Sequence, residues 1–241
     1  MKKTLLTLDI ILSKEIKYML TEQNYRPGDK LPSERELAAA FNVQRLTIRG
    51  ALNLLLADNT IIAKPRSGYY MAPGRILINT RDFSMDYRSA QTGQPLASTL
   101  LTFRKRRVGL RLSGKMLLPE DAVVYQIDKL LSEASEPVCL SHIYLPESVY
   151  PGLTREQAAS DSILSLLAAG EQIQIEKSNQ RVTLVYANEE EGRLLSLTPG
   201  APVMKYKGLM YDSLGRLAVF FEQIMPNNRF AFLSPGKRPL H

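Results

Sequence analysis

Cysteine and histidine are almost missing from this chain: one Cys and two His stand in 241 residues. A lone thiol, Cys139, excludes an intramolecular disulfide, and one thiol with two imidazoles makes no convincing metal cage. Catalytic chemistry is equally thin. No nucleophile has a paired base, and neither His142 nor His241 sits in a recognisable catalytic motif. Long apolar runs are missing too, since none approaches the roughly 18–20 residues that span a bilayer. The opening MKKTLLTLDIILSKE imitates a secretion signal with its lysines. However, Asp9, Ser13, Lys14 and Glu15 interrupt the apolar stretch and no small-residue cleavage site follows. These absences point to a soluble chain of a reducing cytoplasm that needs no cofactor and no metal.

What is present is a substantial apolar fraction, 44%, and a formal net charge of +7. The first supports a real core and one or two domains. The second favours an anionic partner, and its distribution is the sharper clue. Residues 1–75 hold 12 Lys/Arg against 7 Asp/Glu, whereas residues 76–241 hold 19 against 17. Most of the excess therefore lies in the smaller N-terminal part.

That part has a regular pattern. Leu8, Ile11, Leu12, Ile16, Met19 and Leu20 fall on one broad helical face, and Asn24 with Pro27-Gly28 ends the helix. Ser33, with Glu36 three residues on, forms a capping box for a second helix, which Asn42 breaks. A third helix over about Gln44 to Ala57 turns Ile48, Ala51, Leu52 and Leu55 inward. Arg45 and Arg49, four apart, share another face. Ile61-Ile62 and Tyr69-Tyr70 flank the basic tip Lys64-Pro65-Arg66-Ser67-Gly68, the pattern of a β-hairpin. A helix with two arginines is by itself most often a solvated face. In this order, three helices and a basic hairpin predict a winged helix-turn-helix, its third helix in the major groove.

PGDKLPSERELAAAFNV, RLTIRGALNLL and IIAKPRSGYYM closely resemble the DNA-binding domain of the GntR family of bacterial transcription regulators, over about residues 5–72. The resemblance implies DNA contacts by Arg35, Arg45, Thr47 and Arg49, with Gly68 at the wing tip beside the basic Lys64 and Arg66. Gln44 stands where many members have Ser or Thr. It is a poorer helix cap, but it can pair bidentately with adenine. Asn24 replaces the usual Gly and tolerates the same left-handed backbone.

Ala72-Pro73-Gly74 opens an expected linker over 73–80, and the pattern then changes. Val108 to Leu117 predicts a short amphipathic helix. AVVYQIDKLL and VCLSHIYL predict strands joined by a loop over Ser132–Pro137. Asp161 or Ser162 would cap a helix from Ile163 to Ala169. IQIEKSNQRVTLVYA predicts a long strand, and Asn188 a cap for the helix EEEGRLLSL. Val203–Tyr211 and Leu217–Met225 predict a last hairpin. The whole is α+β: a winged helix-turn-helix over 1–72, then a mixed domain over 81–241 with an antiparallel sheet.

LLPEDAVVYQIDKLL, EPVCLSHIYLP, LTPGAPVMKYKGLMYDSLGR and NNRFAF resemble the UTRA domain of the HutC-like GntR branch, which shares the chorismate lyase fold. This resemblance implies a small effector, often a sugar phosphate or other small acid, and a homodimer. It also implies a repressor that binds an inverted-repeat operator in double-stranded DNA. Phe83-Ser84 match the family's early anion-binding loop, and Ser162 is a further contact at an expected helix start. The family's paired arginines fall on Lys129 and Leu131, and its Glu on Ser141. A later Glu falls on Val219, with Glu222 close by. A lone Lys lacks the planar fork of Arg, so a smaller or less charged acid, or one with an apolar portion, is expected. Tyr125 and Tyr186 are expected in the core, His142 in packing or at the surface, and the run Arg104–Arg107 at a solvated strand end. Two alternatives stand beside the regulator: a lyase-like enzyme, which lacks visible catalytic groups, and an architectural DNA protein blind to effectors.

Overall fold

The computed structural model describes residues 7–79, 87–89, 92–159 and 173–233. The chain divides into two compact units, Met1–Gly74 and Arg75–His241.

In the first unit, α1 (Leu8–Glu22), α2 (Glu34–Ala40) and α3 (Arg45–Ala57) precede the hairpin β1 (Ile61–Lys64) and β2 (Gly68–Met71). Ile16, Leu20, Leu37, Ile48, Leu52, Leu55 and Ile61 close its core. The α1 face is narrower than expected. Leu12, Ile16 and Leu20, spaced by four, are buried, but Leu8 and Ile11 stay 53% and 42% exposed, because only one stripe of α1 meets the core. Asn24 and Asn42 take positive φ, 54° and 51°, and turn the chain after α1 and α2 without glycine. The Pro27-Gly28 turn lies along the hairpin, where Leu31 N donates to Tyr69 O at 2.9 Å.

The second unit is built on one antiparallel sheet. Its order is β4 (Ala97–Arg107), β5 (Val123–Glu133), β6 (Glu136–Pro146), β9 (Leu217–Pro226), β8 (Pro202–Asp212) and β7 (Ile175–Tyr186). A separate parallel pair joins β3 (Ile76–Asn79) to β10 (Phe230–Leu233). The helices are α4 (Gly109–Met116), α5 (Arg155–Ala159) and α6 (Glu189–Leu194). One sheet face carries Tyr125, Ile127, Ile143, Phe221 and Met225 into the main core with Ile76, Ile78 and Phe230. The other packs Val124, Tyr144 and Phe220 under α4, and Leu140, Val203 and Ile224 near α6.

Three further expectations change, and one helix is new. The span 73–80, expected as linker, contains β3, whose Ile76 and Ile78 are buried against a strand some 150 residues later. The expected loop Ser132–Pro137 shrinks to the turn Ala134-Ser135, both at positive φ, 48° and 70°; such a turn matches strand twist and lets both strands run on. Tyr186, expected in the core, is 78% exposed at the end of an edge strand. α5 was not foreseen: its cap is the reciprocal pair in which Thr154 Oγ1 accepts from Gln157 N and Gln157 Oε1 accepts from Thr154 N. The helix expected over Ile163–Ala169 lies outside the described residues. Among those described, no helix is long and apolar enough to cross a membrane.

Gly208 lets β8 and β9 close. A Cβ there would lie 2.6 Å from Cε1 of Phe221, a fully buried ring on the facing residue. Gly208→Val should therefore destabilise this unit by roughly 1–3 kcal/mol through overpacking. Chemical denaturation is the check, and an unchanged midpoint would contradict the close contact.

Candidate nucleic-acid interface and effector site

The capping box at α2 is the first positioning device. Ser33 Oγ accepts from Glu36 N at 3.3 Å, and Glu36 Oε2 accepts from Ser33 N at 2.7 Å. The cap fixes the start of α2, so Glu34, its first residue, faces α3. Arg49 donates to both Glu34 oxygens, at 2.9 and 2.7 Å, and Arg45 Nη2 lies 3.5 Å away. Tyr69 of β2 donates its hydroxyl to the same carboxylate at 3.2 Å. Arg49's hydrogen bonds hold the Glu34 carboxyl below the usual carboxylate range, against a smaller opposing effect of partial burial. One acid thus ties two arginines of α3 to the hairpin, while both guanidiniums stay more than half exposed.

Arg35 and Gln44 are also exposed, and Thr47 is half-buried beside them in sequence on α3. Gln44 stands at the N-cap of α3 with extended backbone and no side-chain capping bond, which leaves its amide available. On the wing, Lys64 Nζ lies 4.5 Å from the centre of the Tyr70 ring, a cation–π contact. Arg66 and Gly68 take φ of 59° and 105°, so the tip curls tightly and presents the Arg66 side chain to solvent. Glu34 is the residue that sequence patterning missed. An acid in the first turn of a helix reads as a dipole partner, and nothing local says that it reaches across to α3.

In the second unit, directly opposed residues of the sheet share a face. Lys129, Ser141, Gln223 and Tyr206 stand opposite one another in turn across β5, β6, β9 and β8. All four are buried, Lys129 at 3% exposure. Gln223 is the hub. It accepts from the Tyr87 hydroxyl at 2.6 Å, and its Nε2 donates to Ser141 Oγ at 3.2 Å. Tyr206 donates to Gln180 Oε1 of β7 at 2.7 Å. Leu131, two residues beyond Lys129, is buried in the same core. Lys129 and Ser141 are thus brought together with Gln223, Tyr206 and Tyr87, which sequence analysis did not single out. The usable signal was strand alternation, but it identifies neighbours only once pairing is known.

Glu222 is not part of this group. It precedes Gln223 on β9 and so faces the other side, where Lys115 of α4 donates to both its oxygens at 3.0 Å. His142 lies on that side too, opposite Glu222 and Asp128, with its Nδ1 2.7 Å from Asp128 Oδ1. The basic run at the end of β4 is exposed: Lys105 pairs with Glu147, and Arg104 and Arg106 share the Gln126 amide oxygen. Phe83, Ser84 and Ser162 lie outside the described residues. Among the described residues no cluster of His, Cys, Asp and Glu could hold a metal ion.

Comparison with known proteins gives the context. Residues 12–71 match the family described as bacterial regulatory proteins, gntR family, and residues 91–231 match the UTRA domain. Among similar proteins, the mannosyl-D-glycerate transport/metabolism system repressor MngR of Escherichia coli is 22% identical, with 94% of this chain and 95% of that protein covered. The transcriptional repressor NagR of Bacillus subtilis is 21% identical, with 92% and 91% covered. In fold, PhnF of Mycobacterium smegmatis superposes with a TM-score of 0.65 at 22% identity, over 94% of this chain and 99% of that one. The chain belongs to the GntR family and carries a UTRA domain: it is a DNA-binding transcriptional regulator, not an enzyme.

Proposed function

We propose that the protein is an effector-responsive repressor that binds an inverted-repeat operator as a homodimer. The observation that carries the DNA side is the Glu34 cluster, which holds Arg45 and Arg49 on the exposed face of α3. Gln44 and Thr47 adjoin them along α3, Arg35 follows Glu34 on α2, and Lys64, Arg66 and Gly68 form a wing for the adjoining backbone or groove. Relatives such as MngR and NagR are named as repressors, which supports the sign of control. The effector reading rests on the buried row of Lys129, Ser141, Gln223 and Tyr206. The row sets Lys129 beside the side chains of Ser141, Gln223 and Tyr206, with Leu131 nearby. A Lys without the planar fork of Arg, next to an apolar side chain, suits a small acid with an apolar portion better than a doubly charged phosphate. Phe83, Ser84 and Ser162 remain proposed partners from sequence. The effector changes DNA binding only in so far as it favours one arrangement of the protein over another.

Arg45→Ala and Arg49→Ala should each weaken operator binding by roughly 1–3 kcal/mol if the arginine reads a base, with folding almost unchanged. Glu34→Gln should act differently. Freed arginines and one less negative charge should raise affinity for random-sequence duplex and lower the ratio of operator to random binding. Fluorescence anisotropy with both duplexes separates the two effects. Operator binding by both arginine variants equal to that of the parent protein would refute the docking.

A single winged domain has a small footprint, whereas a two-fold dimer reads two half-sites about one helical turn apart. Light scattering should therefore give a dimer, and footprinting a near-palindromic site. A monomer protecting an asymmetric site at full affinity would exclude this assembly.

For the effector, a thermal-shift panel of sugar phosphates, carboxylates and amino acid derivatives should contain a compound that raises the melting temperature. Lys129→Met should remove that rise. A panel with no stabilising compound would favour an architectural protein blind to effectors, and tight sugar-phosphate binding indifferent to Lys129→Met would place the site elsewhere.

A further inference from the structure

The sheet face opposite Lys129 bears two adjoining hollows. One, of about 400 Å³, is lined by Arg106, Arg111 and Lys205. The other, of about 370 Å³, is lined by Arg181 and Lys207. Lys115 of α4 lines both. Strand alternation explains the row. Lys205 and Lys207 flank Tyr206 on β8 and so point away from the face that Tyr206 occupies, and Arg181 of β7 stands directly opposite Lys207.

The nearby acids are already engaged. Glu222 accepts both its hydrogen bonds from Lys115. Glu191 is held in the α6 capping box, where it accepts from Asn188 N at 2.9 Å. Asp128 is bound to His142 and to Gln126 Nε2. Among the described residues Arg106 reaches only neutral acceptors, the Arg107 carbonyl at 3.2 Å and the Gln126 oxygen at 3.4 Å that Arg104 already occupies. Arg111, Lys205, Arg181 and Lys207 form no salt bridge among the described residues. Like charges gathered on a concave surface raise the local potential, and an entering anion exchanges that repulsion for charge-assisted hydrogen bonds.

We propose that this face binds a small anion with at least two charged phosphate or carboxylate groups, one in each hollow, with Lys115 between them. A single monovalent ion would leave one hollow uncompensated. The site is independent of the effector reading, because the sheet itself separates it from Lys129. It would give the regulator a second anionic input.

Calorimetry on the full-length protein with pyrophosphate and, separately, citrate tests this. One of the two should bind at about one per chain, and the better binder tells phosphate from carboxylate recognition. Lys205→Gln combined with Lys207→Gln should weaken that binding by about tenfold or more. Glu222→Gln, which frees Lys115 and removes a negative charge, should tighten it. Thermal unfolding without ligand checks that the variants fold; if the double variant does not, Arg111→Gln at an exposed position of α4 carries the same expected loss. No heat from either probe up to about 10 mM, or binding unchanged in the lysine and arginine variants, overturns the proposal.

Discussion

Where β5, β6, β9 and β8 pair in regular register, their side chains alternate between the two faces of the sheet, and each face carries a packed apolar cluster. A slip of one residue anywhere between β5 and β8 would therefore exchange two different chemistries. On one face the register lines up Lys129, Ser141, Gln223 and Tyr206 in a buried polar row. On the other it exposes His142, Glu222, Lys205 and Lys207 to solvent-accessible hollows. Consecutive residues such as Glu222 and Gln223 end in separate environments for this reason alone. The apolar neighbours enforce the register. Ile127, Ile143 and Phe221 must enter the main core while Val124, Tyr144 and Phe220 pack beneath α4. Gly208 adds a steric lock, since only a residue without Cβ leaves room for the Phe221 ring.

The winged unit solves a related problem with charge rather than with burial. The arginines proposed to meet DNA have long side chains, and ordering such chains costs side-chain entropy when a complex forms. Glu34 holds Arg49 in a bidentate pair and keeps Arg45 close, so part of that ordering is done beforehand. The same carboxylate takes the Tyr69 hydroxyl, which links the recognition helix to the wing. Such an acid reduces the raw attraction for phosphate and favours geometry over charge. That trade suits a protein that must distinguish its operator from bulk DNA.

The two units differ in how much of them was legible in the sequence. The winged unit is built from local signals: the Ser33–Glu36 box, left-handed Asn24 and Asn42, and the apolar spacing of α3 all act within a few residues. Two features departed from that reading: the outer part of the expected α1 face stays exposed, and the Glu34 cluster joins residues 15 and 35 apart. In the sheet-based unit, the Asn188 cap and the strands themselves were also local. The short turn at Ala134-Ser135 was not, because neither residue is a usual left-handed former and strand pairing on both sides imposes the conformation.

Composition, capping and periodicity by themselves determined the described helices other than α5, most strands, the α+β class and the basic character of the N-terminal third. Each of these depends on neighbours along the chain. Only the tertiary structure decided which side chains meet. β3 needed a partner some 150 residues distant, the exposure of Tyr186 followed from β7 being an edge, and Gln223 rather than Glu222 joined Lys129 and Ser141. Pairing between strands is non-local, and one position of register decides the face on which a side chain works.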